Sequence, residues 1–146
     1  KIMKIIKSKL WKQPDIVKTI FKNVPPLDPV VLFFNPNVYF IRKKNKIVSF
    51  LTVKNHKNFY EIKTLCTIKN HRNKGYASNF FLSSSFRNSE LVLQCDKKLE
   101  SYYKKFGFNE TKKIFGIKTS LFNIFLRPLL GYKLITMSKN DTLKFK

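Results

Sequence analysis

The sequence predicts a mixed α/β fold, one domain spanning residues 1–146 with a mostly antiparallel sheet and a single parallel βαβ crossover. Three observations predict it. Runs 37–42, 46–53 and 59–68 are rich in aromatic and β-branched residues and are joined by short polar links, which reads as two antiparallel hairpins. After the third run, Ala77, Phe80, Phe81 and Ser84 recur at helical spacing. LVLQC (91–95) then forms a short apolar strand of the buried kind, which a right-handed crossover lays parallel to 59–68. At 146 residues the chain is long enough to bury a sizeable core in one domain.

Taken in order, Ile2, Met3, Ile5 and Ile6 suggest a short first strand over 2–6. Pro14 suits the first position of a helix and Asp15 its first turn. Ile16, Val17, Ile20, Phe21 and Val24 make one stripe, which Pro25-Pro26 ends. The stretch LDPVVLFFNPN, broken by Pro29 and Pro36, reads as loop or a short helical turn. Links 43–45 and 54–58 turn the two hairpins, and the crossover helix spans about 75–86. Asp96 suits the N-cap of a helix over 97–105, with Leu99, Tyr102, Tyr103 and Phe106 on its apolar face. Gly107 ends that helix and Phe108 starts the return. Residues 114–130 are strongly apolar but shorter than the ~20 residues a spanning helix needs. YKLITMSK (132–139) reads as a closing strand.

Thirty Lys+Arg against 8 Asp+Glu give a formal charge of +22, which attracts polyanions: nucleic acid, anionic membrane or a phosphorylated cofactor. The excess is mostly lysine and comes with abundant Asn, Ile and Phe, a mixture that an AT-rich genome also yields without selection for binding. Cys66 and Cys95 sit far apart in strand-like runs, which points away from a secreted disulfide framework and toward the reducing cytoplasm. They share no metal-ligand spacing with His56 or His71, so no metal is expected. KIMKIIKSKLW is broken by lysines and lacks a signal-peptide hydrophobic region, and no transmembrane segment is expected.

Chemistry concentrates at 63–81, above all at Arg72-Asn73-Lys74-Gly75-Tyr76-Ala77. A strand that delivers a glycine loop to a helix start can hold phosphate, because free backbone N–H groups point at the anion. Lys69, Arg72 and Lys74 add full charges. An ordinary turn is the competing reading of the same residues.

A second block, LVLQCDKKLESYYKKFGFNET (91–111), follows. Together with 61–81 it resembles the GNAT superfamily of acetyl-coenzyme A-dependent N-acetyltransferases. In that family a strand enters a loop of pattern Arg/Gln-x-x-Gly-x-Gly/Ala, which Arg72, Gly75 and Ala77 fill here. The family's next block is a strand, an Asn-like cap, a helix bearing a Tyr, then Gly-Phe. Asp96, Tyr103, Gly107 and Phe108 hold those places, with Asp96 where Asn is commoner. The resemblance covers 37–111.

The resemblance implies a GNAT-like sheet splayed at the cofactor site, and acetyl-coenzyme A as co-substrate for acetyl transfer to a primary amine by direct attack. It implies that Arg72, Asn73, Lys74, Gly75, Tyr76 and Ala77 cradle the pyrophosphate, with main-chain groups of Thr67, Ile68 and Lys69 and the side chain of Asp96 beside the pantetheine arm. Such a reaction needs the amine deprotonated and the leaving thiolate protonated. Glu61, eleven positions before Arg72, stands where the histone-acetylating branch carries a glutamate and is the candidate base. Strand alternation would put it on the face of Lys63, Leu65 and Thr67. Its competing reading is a surface pair with a lysine. Tyr103 is the candidate acid, and its competing reading is packing against Leu99 and Phe106. Tyr102 reads as packing. Glu100 reads as an i,i+4 pair with Lys104. Cys95 reads as a buried small hydrophobe more readily than as an acyl-cysteine nucleophile.

The acceptor, a small-molecule or protein amine, is not legible. Leu121, Phe122, Phe125, Leu126, Leu129 and Leu130 in 114–131 suit core packing, an acceptor wall, a homodimer contact or a membrane surface. A second function class stays open: a basic nucleic-acid- or acidic-protein-binding scaffold on the same fold, using Lys43, Lys44, Lys46, Lys54 and Lys57 of the hairpin turns.

Overall fold

In the computed structural model the described residues are 3–23, 35–86, 88–113, 115, 127–129, 131 and 133–140. Period-two burial turns the aromatic and β-branched runs into strands whose two faces build two cores. β1 (Ile6–Lys9), β2 (Asn37–Lys43), β3 (Lys46–Asn55), β4 (Phe59–Thr67), β5 (Glu90–Asp96), β6 (Asn109–Glu110) and β7 (Leu134–Asn140) form one sheet in the order β1-β2-β3-β4-β5-β7-β6. Only β4 and β5 pair in parallel among these strands. The mixed fold, the two hairpins and the crossover read from the sequence are present.

Among the described residues a helix packs on each face, and Tyr103 and Phe106 pack on the second beside it. Val38, Phe40 and Phe50 meet Leu10 and the buried Ile16 and Ile20 of α1 (Pro14–Asn23). Tyr39, Leu51 and Val53 on the opposite face meet Ala77, Phe80 and Phe81 of α2 (Tyr76–Phe81). Phe50 and Phe80 are fully buried, each contributing roughly 2–3 kcal/mol of apolar transfer. Arg42 ties α1 to the sheet: its guanidinium grips Asp15 at 2.7 and 3.2 Å and lies over the Phe40 ring.

Several element boundaries differ from the sequence reading. The first strand is Ile6–Lys9, later than 2–6, because Ile6 registers with Phe40 while Met3 and Ile5 pack against the other core without joining the ladder. The crossover helix ends at Phe81 and a 3-10 turn follows at Ser84–Phe86. Leu82 is exposed, and the serines after it compete for backbone hydrogen bonds. The 97–105 segment is a 3-10 turn, Lys97–Leu99, continued by α3 (Glu100–Lys104). Gly107, at φ +90, ends it as expected, and Phe108 is fully buried.

Val24, Pro25-Pro26 and nearly all of LDPVVLFFNPN lie outside the described residues. Most of 114–131 does too, apart from Phe115, the short α4 (Arg127–Leu129) and Gly131. Among the described residues no helix is long and apolar enough to cross a membrane.

Candidate active site

The sheet opens at one place. β4 and β5 pair from Phe59↔Glu90 to Ile62↔Leu93, and there the parallel ladder ends. Beyond it, β4 continues to Thr67 on β3 alone and β5 to Asp96 on β7 alone. A cavity of about 600 Å³ sits between the far end of β4, the loop before α2, and α3. Thr67, Arg72, Asn73, Gly75, Tyr76, Ala77 and Tyr103 line it, as the sequence pattern anticipates. Ile68, Lys69, Lys74, Asp96 and Glu61 do not. Lys69 and Lys74 are exposed, and Ile68 donates its N–H to Val48 C=O at 2.9 Å. Asp96 caps the 3-10 turn, accepting from the Lys98 N–H at 3.2 Å.

The loop is braced from within. Arg72 Nε donates to the Thr67 carbonyl at 3.0 Å, tying the loop's exit to the end of β4. Thr67 Oγ1 in turn meets Ser49 Oγ at 2.8 Å on β3. Asn73 and Gly75 take positive φ, +60 and +80. Asparagine tolerates that region and glycine adopts it freely. A Cβ at Gly75 would meet nothing within 4 Å, so the space beside this backbone is open. No side chain caps α2, and the first intrahelical bond is Asn79 N–H to Gly75 C=O at 3.0 Å. The N–H groups ahead of it are left free for a ligand.

The opposite wall is aromatic. Tyr102 packs on Tyr103 and Phe106 as expected, and it and the exposed Leu99 also line the cavity. Burial, with the neighbouring Cys95 and Tyr102, pushes the Tyr103 phenol far above its ordinary value and keeps it protonated. Lys105 adds a cation on this side. His71 also lines the cavity, its Nδ1 buried without a hydrogen-bond partner. The sequence reading weighed His71 only as a metal ligand. Among the described residues no group of three or more His, Cys, Asp and Glu could hold a metal ion. Burial pushes the Cys95 thiol up to about 11, with Asp96, Glu100 and Glu110 adding to it, so it stays a thiol packed on Met137. Glu100 pairs with Lys104 at 2.9 Å, as expected, and with Lys97 at 2.5 Å.

Glu61 is where the sequence geometry needs correcting. Thr52 pairs with Thr64 but Val53 pairs with Ile62, so Lys63 is an extra residue, a β-bulge. The bulge reverses the alternation. Glu61 registers with Lys54 on the face of Thr64 and Cys66, not on that of Leu65 and Thr67. It is 3% exposed, with Oε1 2.9 Å from His56 Nε2 and Oε2 2.6 Å from Lys63 Nζ. The surface-pair reading therefore holds for the lysine contact but not for the surface. α2 covers one face of the sheet, and Glu61 stands on the other, one register pair before the opening.

The hairpin lysines do not make one patch. Lys43, Lys44 and Lys46 sit at the β2–β3 turn, while Lys54 and Lys57 sit at the β3–β4 turn, the other end of β3. Ten residues of strand separate the two turns by roughly 30 Å.

Solved structures share this fold along nearly its whole length. An acyl-CoA N-acyltransferase from Pseudomonas aeruginosa superposes with TM-score 0.65 at 12% identity, over 94% of this chain and 99% of the other. An acetyltransferase from Bacillus subtilis in complex with CoA gives 0.64 at 12%, over 94% and 98%. Arabidopsis thaliana Naa50, in complex with the bisubstrate analogue CoA-Ac-MVNAL, gives 0.62 at 17%, over 93% and 98%. No family model matches the chain, and no curated protein sequence matches it. The chain has the GNAT acetyltransferase fold.

Proposed function

We propose that this GNAT-fold chain is an N-acetyltransferase that moves an acetyl group from acetyl-coenzyme A to a primary amine of a small molecule or protein. The observation that carries the reading is the cavity at the end of the β4–β5 ladder, floored by a glycine with open space above it and by uncapped N–H groups. That donor set fits a pyrophosphate: it offers neutral N–H groups at close approach, with Arg72 and Lys105 as cations. The solved neighbours that carry CoA or a CoA-linked analogue lend support at the level of fold.

When bound, acetyl-coenzyme A supplies the activated thioester. The residues of this chain do the rest. Gly75, Tyr76 and Ala77 present main-chain donors, and Arg72 keeps the loop in register with β4. In this reading Tyr103, which burial keeps protonated, is the acid that gives its proton to the leaving thiolate. Glu61 supplies the carboxylate behind amine deprotonation. Its place on the face away from α2 supports an amine arriving from the side opposite the donor. Both described cysteines are buried and free, in keeping with a reducing compartment, and we place the protein in the cytoplasm.

The direct test is release of the coenzyme A thiol in the presence of a panel of amines and peptides. The reading expects release that needs both the chain and an amine. Tight coenzyme binding with no release across the panel would contradict it.

A further inference from the structure

Glu61 cannot meet an amine directly. Both its oxygens are engaged, Oε1 by His56 and Oε2 by Lys63, and its side chain is 4% exposed. The group bonded to it is more open: the His56 side chain is 21% exposed. His56 sits in the β3–β4 turn, where its N–H donates to Phe59 C=O at 2.9 Å and its ring stacks on Phe59 at 4.3 Å. Stacking and the Glu61 contact together fix the plane of the imidazole. A carboxylate only accepts, so Nε2 carries the hydrogen toward Glu61 and Nδ1 keeps its lone pair. A buried carboxylate holding one imidazole nitrogen so that the other can take a proton is the arrangement that makes histidine a base.

We infer that the base of the site is the pair His56–Glu61, with His56 Nδ1 receiving the proton of the acceptor amine and Glu61 acting as its positioning residue. This rests on the acyltransfer reading above and refines it. The balance is as follows. An ammonium nitrogen loses two N–H protons on becoming an amide. Its electron pair forms the new C–N bond while the C–S bond breaks. One proton equivalent is matched by the proton Tyr103 gives the thiolate and regains from water. The other leaves to water through His56. Charged groups around the pair are Lys63 on Glu61 itself, Lys54 in register across from Glu61, Glu90 in register with Phe59, and Lys113, which pairs with Glu90 at 3.3 Å and lies over the Phe115 ring that meets Phe59.

Two variants test the pair. His56→Gln keeps a donor for Glu61 and removes the base. It is expected to lower kcat by ~10²-fold, the lower end of general-base effects, to lose the acid limb of the pH–rate profile, and to leave coenzyme A affinity unchanged. Added imidazole should restore part of the rate. Glu61→Leu removes the carboxylate. The imidazole Nε2–H signal of His56, hydrogen-bonded and observable by NMR in the wild-type chain, should vanish in it. With only two histidines in the chain, His71→Gln completes the assignment. An unchanged kcat and pH limb in His56→Gln, or an Nε2–H signal indifferent to Glu61→Leu, overturns the pair alone. A wild-type chain that transfers no acetyl group overturns the acyltransfer reading beneath it.

Discussion

Arg72 Nε donates to the Thr67 carbonyl at 3.0 Å, so the guanidinium closes the loop before α2 onto the strand that precedes it. The side chain thus shapes the proposed cradle besides adding charge to it. Arg72→Ala is expected to weaken coenzyme A binding roughly tenfold or more, the scale of one charge-assisted hydrogen bond. Arg72→Lys keeps the charge without the planar fork and should recover little. Calorimetric titration of both variants checks this.

Tyr103→Phe removes the hydroxyl and keeps the ring that packs near Phe108 at 5.9 Å between centroids. The fold should be retained and coenzyme A affinity kept, while kcat falls by ~10²-fold. The sign of the pH effect follows from the raised phenol. Because burial favours the neutral form, the acid persists as pH rises past the ordinary tyrosine value, so Tyr103 imposes no loss of rate up to that point. A pH–rate profile of the wild-type chain shows whether the alkaline limb is absent there.

Asp15 tests the α1 docking. Arg42 holds its carboxyl below the ordinary aspartate value of 3.8, first through the side-chain hydrogen bond and then through charge. A depressed folded value contributes stability that is present above the unfolded value and lost as pH falls through the folded one. With half of the Asp15 side chain exposed, solvent screening limits the pair to about 1 kcal/mol or less. Urea unfolding of Asp15→Asn should show that deficit at neutral pH, shrinking toward zero in acid well below 3.8.

Much of the cavity's lining was legible because it rests on residue type in fixed order. Gly75 reads as a positive-φ residue at a strand–helix junction, and Tyr103 reads from its place before Gly107 and Phe108. What stayed hidden depends on register. Nothing in the residues 59–67 announces that Lys63 is a bulge, yet that single extra residue decides which face Glu61 occupies. The His56–Glu61 contact closes across a hairpin turn that the sequence shows only as a polar link. Lys69 and Lys74 looked like phosphate ligands by proximity in sequence. In the structure Lys105, from the end of α3, is the lysine that lines the cavity, a contact that only the tertiary packing creates.

Titration of coenzyme A into the wild-type chain and into Gly75→Glu tests the central claim most directly. Gly75 lines the cavity, and a glutamate there would put a side chain and a negative charge into the proposed pyrophosphate cradle. The expected result is saturable binding by the wild-type chain and none by the variant, with both chains folded by circular dichroism. Equal binding by the two folded chains, or no binding by the wild type, would contradict the account.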